Sequence, residues 1–205
     1  MTHQRERLGR QIDFILELDK LKSVLRRSYV LGDPRRENSA EHSWHAALAA
    51  LLLAEHADDA VDRERLVKML LVHDVVEIDA GDTPVYDVEA RAAQAAREVR
   101  AAERIFALLP DDLAEEMRGL WDEFEAQETP SARFAKAIDR LLPLLQNARG
   151  GGRSWRDLAV VESQVREVNA VISRGSEALW AFASDELDRA VERGLLPSAA
   201  AAEVT

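Results

Sequence analysis

The 205-residue sequence contains no cysteine, so disulfide bonds and thiolate chemistry are excluded. Any metal site must therefore use histidine and carboxylate side chains. Aromatic residues make up only 5% of the chain, which leaves a core built mainly from Leu, Ala and Val. No run of residues approaches the ~20 apolar positions of a membrane span. The N-terminal stretch MTHQRERLGRQ also lacks the apolar segment of a signal peptide. We expect a cytoplasmic protein that has no membrane partner.

Basic residues are outnumbered, with 27 Lys and Arg against 38 Asp and Glu, and the formal net charge is −11. This balance argues against a broad groove for DNA or RNA, which needs a basic face. A small anionic substrate is still compatible, because local arginines and a metal ion can make one pocket positive. Solubility alone accounts for the acidity equally well.

Alternating strand patterns are absent, and helical periodicity recurs along almost the whole chain. The pattern predicts an all-α fold, a single helical bundle of about seven or eight helices that spans residues 1–205. We expect its core at about 20–180 and a flexible tail at about 195–205. The predicted helices cover about 7–27, 39–57, 63–78, 88–108, 111–125, 131–148, 155–173 and 176–193.

Local signals sharpen some of these helices. Asn38 with Glu41 three residues later is typical of a capping box that starts a helix. Residues 44–53 are apolar on all sides, which predicts a central, buried helix. Pro143 predicts a kink, and the glycine-rich stretch 149–153 predicts a flexible loop.

The stretch LVHDVVEIDAGDTP, residues 71–84, places charged side chains inside an apolar helix. His73, Asp74 and Glu77 are separated by one, three and four positions, so all three can project toward one region. Isolated ionised groups in an apolar interior are costly unless something compensates them. A hydrogen-bonded core network or a helix edge that faces water would also explain them.

His42 and Asp139 suggest what that compensation is. His42 stands in the first turn of the predicted central helix, and Asp139 borders an apolar stripe of another helix. With His73 and Asp74 they form a set of two imidazoles and two carboxylates that can bind one divalent cation, such as Mn, Co, Fe, Zn or Mg. For Asp139 alone, a salt bridge with Arg140 or Lys136 on a solvated face is the preferred interpretation; it is the four residues together that favour a cation.

Three stretches carry a resemblance to a known family: RRENSAEHSWH (35–45), LVHDVVEIDAGDTP (71–84) and FAKAIDRLLPLLQN (134–147). Their order H…HD…D resembles the HD superfamily of metal-dependent phosphohydrolases, and the flanking residues resemble its 5′-deoxynucleotidase branch. The resemblance implies an all-α HD-domain fold and one divalent metal. It also implies the ligand set His42, His73, Asp74 and Asp139.

The same resemblance implies roles for residues after the HD pair. Glu77 would position or deprotonate the attacking water. Asp82 would lie in the pocket as a second catalytic and substrate-binding residue. The residues that follow it would lie near the nucleoside; they are Thr83, Pro84 and Val85.

The resemblance further implies a phosphate-orienting arginine before the first histidine. In ungapped register this position is Arg27, and Arg26 is one step away. Some relatives have a Trp after that arginine, whereas this chain has Ser28. Arg35 and Arg36 are further candidate cationic clamps, although a solvated loop explains them equally well.

These features favour a phosphohydrolase that removes phosphate from small nucleotides, above all (deoxy)nucleoside 5′-monophosphates, by attack of metal-activated water. Nucleoside triphosphates or another small phosphate ester are alternative substrates. A non-catalytic regulatory module stapled by the metal, and an all-α scaffold without metal, are alternative functions. Ala- and Val-rich stripes at 88–108 and 155–193 predict a homodimer, although surplus apolar residues are also ordinary on surfaces.

Overall fold

The computed structural model describes residues 2–83, 85, 86 and 88–198, without the side chains of residues 2 and 88–92. These residues are mainly helical, which confirms the all-α fold class, and none of their helices is long and apolar enough to cross a membrane. That the chain forms a single domain stays a prediction. The α-helices are α1 (Thr2–Leu18), α2 (Ser39–Leu53), α3 (Arg63–Val72), α4 (Glu77–Ala80), α5 (Val88–Phe106), α6 (Asp111–Ala126), α7 (Pro130–Arg149), α8 (Arg153–Asp157), α9 (Glu162–Asn169) and α10 (Glu177–Glu192).

A small sheet replaces the end of the first predicted helix. The prediction of a helix over 7–27 is wrong beyond residue 18, where a 3₁₀ turn (Asp19–Ser23) leads into strand β1 (Leu25–Tyr29). Strand β2 (Arg36–Asn38) pairs with β1 in antiparallel orientation. The sequence LRRSY shows no apolar alternation, because the inward side chains of β1 are polar: Arg26 and Ser28 point inward while Arg27 is exposed. The sheet thereby aims one arginine at the interior.

The predicted helix over 63–78 is interrupted at the HD pair. Helix α3 ends at Val72, and α4 begins at Glu77. The backbone between them tightens, with Val75 bonded to Val72 and Glu77 bonded to Asp74, each over three residues instead of four. Gly81, with a φ of 73°, then ends α4 in a conformation that favours glycine.

Helix α7 runs through the centre of the fold, continuous from Pro130 to Arg149 through Pro143. It packs against α2, α3, α6 and α10. Most of its side chains are buried, including Phe134, Ile138 and Leu141. Asp139 lies on this buried helix and is only 7% exposed.

Helix α2 is only half buried. The capping box is confirmed: the Asn38 side chain accepts a bond from the Glu41 N–H, and the Glu41 carboxylate accepts one from the Asn38 N–H. The prediction that 44–53 is buried on all sides is wrong, because Ala46, Ala47 and Ala50 face the core while the opposite face meets solvent. The large apolar side chains exposed on that face are Trp44, Leu48, Leu51 and Leu52.

In the C-terminal part, the helices are divided into more segments than predicted, and the turn at 149–153 and the start of the tail are more closely packed. The helix expected over 155–173 is divided into α8, α9 and a 3₁₀ turn, Ala170–Arg174. The stretch 149–153 is a packed turn, since a Cβ at Gly150 would lie 2.4 Å from the Gln146 carbonyl oxygen. The expected tail begins docked, with Leu196 buried and the Pro197 carbonyl bonded to the Glu162 N–H. Residues 199–205 of that tail lie outside the described residues.

Candidate metal centre

Three of the predicted ligands converge between α2, the end of α3 and α7. The Nε2 atom of His42 lies 3.0 Å from Oδ1 of Asp139, and Nε2 of His73 lies 3.6 Å from the same oxygen. One ligand atom from each residue can be chosen so that all three lie within 4.8 Å of one another. His42 is fully buried. The cluster is therefore a compact, desolvated set of borderline and hard donors.

The hydrogen bonding of His73 fits this cluster to a cation. Its Nδ1 donates to the Leu70 carbonyl oxygen at 2.9 Å, which leaves Nε2 as the unprotonated nitrogen of the neutral ring. That Nε2 is buried and has no hydrogen-bond partner. It faces Oδ1 of Asp74 at 3.0 Å, so two lone-pair carriers oppose each other. A positive ion between them satisfies both.

Asp74 adjoins this group through His73. Its other oxygen, Oδ2, accepts a bond from Nη1 of Arg26 at 2.6 Å. The structure thus brings all four predicted ligands together, with His42, His73 and Asp139 as the mutually close set and Asp74 beside it. This cluster fits a metal ion.

Asp139 is held ionised by its neighbours. Burial acts to raise the pKa of its carboxyl, but Lys136 at 3.0 Å and the two neighbouring imidazoles hold that pKa well below its usual range. Lys136 also lies 4.6 Å over the ring of Phe124. The salt bridge considered from the sequence is present, but the prediction of a solvated face for it is wrong because Asp139 is buried.

Arg26 places its guanidinium among the predicted metal ligands. The Arg26 side chain is 11% exposed, and it lies 2.6 Å from Asp74, 3.8 Å from Glu37 and 3.9 Å from Asp139. Burial alone would lower the pKa of Arg26, but the surrounding carboxylates, Asp74 first, raise it. Arg27 is exposed and also lines the cavity, and the phosphate contact expected of it stays a prediction. The positive guanidinium of Arg26 therefore also compensates the negative charge of the buried carboxylates.

Glu77 and Asp82 face the same region. Glu77 is buried, and its Oε2 accepts a bond from the Ser39 hydroxyl at 2.5 Å. Burial and the nearby Asp74 raise the pKa of Glu77 well above its ordinary value. Burial also raises the pKa of Asp82, against the opposing effect of Arg26. Two carboxyl groups with raised pKa values beside a metal cluster are typical of a site that moves protons.

A cavity of about 280 Å³ opens onto this cluster. Its wall includes Thr83, Val85, Tyr86 and Trp155, so two of the three residues expected near a nucleoside line it. The third, Pro84, lies outside the described residues. The volume is at the small end for ligand pockets, which fits a small molecule.

The two loop arginines lie elsewhere. Arg35 forms a two-pronged ion pair with Glu41, at 2.8 and 2.9 Å, on the exposed side of the α2 cap. Arg36 lies over the Tyr29 ring, 4.0 Å from Asp157. Arg35 thus matches the solvated alternative, while the substrate contact expected of Arg36 stays a prediction.

Sequence reasoning missed three polar side chains that surround the cluster, which are Glu37, Ser39 and Gln146. All three are buried by the surrounding fold. They carry no periodic signal, since the partner that each one bonds is remote in sequence. Lys136, by contrast, is one of the two basic neighbours that the sequence offered as a partner of Asp139, and its position three residues earlier puts both on one helix face.

The comparison with protein families agrees with this architecture. The model of the HD domain matches residues 18–180. The chain therefore belongs to the HD-domain family, which confirms the resemblance found in the sequence.

Individual relatives and a solved structure indicate which members of the family this chain is similar to. A human 5′-deoxynucleotidase is 32% identical over 136 residues, covering 66% of this chain, and the chain spans 65% of that relative's length. A 5′-deoxynucleotidase from Citrobacter koseri is 27% identical over 184 residues, covering 84% of this chain and 89% of the relative. A crystal structure from Magnetospirillum magnetotacticum, described as a predicted metal-dependent phosphohydrolase, is 49% identical with a TM-score of 0.88, and the match covers 93% of this chain and 98% of that one.

Proposed function

We propose that this protein is a metal-dependent phosphohydrolase that removes phosphate from small nucleotides, most of all (deoxy)nucleoside 5′-monophosphates. One observation carries the proposal: a partnerless, buried Nε2 of His73 faces carboxylates in a cavity that also contains Arg26 and Glu77. We infer one divalent ion, Mn, Co, Fe, Zn or Mg, with Asp74 as the fourth ligand beside His42, His73 and Asp139.

When bound, the ion supplies a Lewis acid that polarises a phosphoryl oxygen and acidifies water. Glu77 accepts a proton from the attacking water, which suits a carboxyl whose pKa is raised by burial and by Asp74. Arg26 binds the phosphate, because only one of its donors, Nη1, is committed to Asp74 by a hydrogen bond. Asp82, whose carboxyl lines the same cavity, orients the substrate.

The substrate class rests on two supports. The relatives named 5′-deoxynucleotidase suggest a deoxynucleoside 5′-monophosphate. The cavity, with Thr83 and Val85 in its wall and an aromatic end formed by Tyr86 and Trp155, offers room for a sugar and a base. A cytoplasmic location and the lack of a DNA, RNA or membrane partner are also proposed, from composition alone.

The direct test is phosphate release from purified protein. We expect turnover of 5′-deoxynucleoside monophosphates only with added Mn²⁺ or Co²⁺, and its loss on chelation, because the cluster has no other source of Lewis acidity. Ribonucleotides, triphosphates and p-nitrophenyl phosphate serve as the comparison substrates. Absence of turnover on every phosphorylated nucleotide, with metal bound, would favour the regulatory-module alternative.

We also propose that the protein is a homodimer, through the exposed apolar face of α2. Exposed apolar residues at helical spacing are typical of an interaction surface, and two-fold dimers are the commonest assemblies. In the helices that first suggested a dimer, the large apolar side chains described as exposed are Val99 and Phe182. The exposed stripe on α2, with Trp44 at 63%, is a stronger candidate.

Replacing Trp44 with glutamate should weaken self-association by about tenfold or more, since a buried Trp is a frequent interface hot spot. Light scattering after size exclusion should give twice the chain mass of 22.9 kDa for the wild type and a smaller mass for the variant. Phe182→Glu, a like change on α10, is the control. A wild-type monomer at high concentration would contradict the proposal.

A further inference from the structure

Glu37 is a buried carboxylate to which the mechanism above assigns no task. It lies on β2, and it is 3% exposed. The side-chain amide of Gln146 on α7 donates to its Oε1 at 2.8 Å. Burying a carboxylate is costly unless its charge and its lone pairs are satisfied, so this position needs a physical reason.

The other oxygen of Glu37 indicates that reason. Oε2 lies 3.6 Å from Nδ1 of His42 and 3.8 Å from Nε of Arg26. All three atoms are buried without a hydrogen-bond partner. They face one another at separations only slightly beyond hydrogen-bond range, so a small rotation of the imidazole pairs Nδ1 with the carboxylate.

The opposite edge of the same imidazole faces the metal cluster. Nε2 of His42 lies 3.0 Å from Asp139, while Nδ1 faces Glu37. The ring therefore stands between a carboxylate and the centre, in the order carboxylate, histidine, metal site. Such an outer carboxylate fixes the tautomer of a ligating histidine and raises the basicity of its free nitrogen.

We propose that Glu37, held by Gln146, is a positioning residue that keeps a proton on Nδ1 of His42 and aims the lone pair of Nε2 into the metal centre. This inference rests on the metal site of the proposed function. Glu37 does not touch the substrate; it acts through His42 and, by its contact with Arg26, links a metal ligand to the phosphate-binding arginine.

The two histidine ligands, His42 and His73, are oriented by different groups. Nδ1 of His73 donates to the backbone carbonyl of Leu70. This carbonyl bond is a neutral anchor that side-chain replacement leaves in place, whereas His42 depends on a charged side chain. The two anchors therefore give an internal comparison within one site.

The first test is the metal affinity of Glu37→Gln, measured by competition with a chelator and without any substrate. We expect the dissociation constant for Mn²⁺ to rise by about 10- to 100-fold. Glu41→Gln is the matched control, because Glu41 precedes His42 in the chain but directs its carboxylate to the exposed Arg35. An affinity for Mn²⁺ equal to that of the wild type would overturn the inference while leaving the proposed function intact.

A second variant keeps the test valid if Glu37→Gln folds poorly. Gln146→Leu retains the Glu37 charge but removes the amide that holds it, so a smaller loss of Mn²⁺ affinity is expected. Since both changes act through His42, the loss in the double variant should fall short of additivity. Fully additive losses of Mn²⁺ affinity would show that Glu37 and Gln146 do not act through the same histidine, and would overturn the inference. A wild type that binds no divalent ion would overturn the inference and the proposed function together.

A spectroscopic readout separates positioning from loss of stability. In the Zn²⁺-loaded protein, the Nδ1 proton of His42 should resonate downfield and exchange slowly because a carboxylate accepts it. Glu37→Gln should shift this signal upfield and leave the corresponding proton of His73 unchanged. If both histidine signals stay in place, Glu37 does not position His42.

Discussion

Replacing Glu77 with glutamine is expected to lower kcat for phosphate release by about 10²–10⁴-fold, the usual contribution of a general base. Glutamine keeps the size of the side chain and can keep the bond from the Ser39 hydroxyl. It cannot accept a proton from water. The loss should therefore fall on kcat, with bound metal and KM changed little. Steady-state kinetics at fixed Mn²⁺ measure it.

The pH dependence of the activity tests whether Glu77 is the base. Burial and Asp74 raise the pKa of Glu77, so the group loses its proton only above its ordinary range. Activity of the wild type should therefore fall as pH falls through this raised pKa, and the acidic limb should vanish in Glu77→Gln. A variant that retains the limb and full turnover would assign the base to another group.

The free energy of unfolding should have the opposite pH dependence to the activity. Because the pKa of Glu77 is raised by folding, the folded state holds its proton more tightly than the unfolded state, and stability is lost as pH rises through that pKa. Removing the buried charge should therefore not lower Tm at pH values above that raised pKa. Asp79→Asn, two positions further along α4 and paired with Arg104 on the surface, is the control for both activity and Tm.

The parts of the site that follow local rules could be predicted from the sequence. The His73-Asp74 pair and Glu77 lie within one short stretch. The Asn38–Glu41 capping box joins two residues that are only three positions apart in the chain. The order of ligands along the chain and helical spacing were enough to group them. The break between α3 and α4 was not visible, because it depends on a turn whose composition resembles a continuous helix.

The parts that depend on distant pairing could not be predicted. Whether Arg26 or Arg27 points inward is set by the strand β1, and a one-residue slip in a strand reverses every side chain. Glu37 meets its partner Gln146 109 positions away. The exposed face of α2 is equally invisible, since an apolar surface does not say whether protein or solvent lies against it.

The second large effect is expected at Arg26. Replacing it with lysine should lower kcat/KM by roughly 10²–10³-fold, as for loss of a donor that stabilises charge in the transition state. Lysine retains the positive charge, but it cannot bond Asp74 and a phosphate at once with a planar fork. Tm should therefore change little, which separates catalysis from folding. Arg35→Lys is the control and should leave kcat/KM unchanged, because Arg35 pairs with Glu41 on the exposed side of the α2 cap.

Removing the charge altogether should reveal what Arg26 does for the fold. In Arg26→Ala, the carboxylates of Asp74, Glu37 and Asp139 lose their shared buried cation, which should cost about 3–5 kcal/mol of unfolding free energy. Added Mn²⁺ should raise the Tm of this variant more than that of the wild type, because the ion takes over part of the lost compensation. Thermal unfolding with and without Mn²⁺ measures both. Equal Tm shifts in the two proteins would mean that the guanidinium and the metal site do not share the same acids.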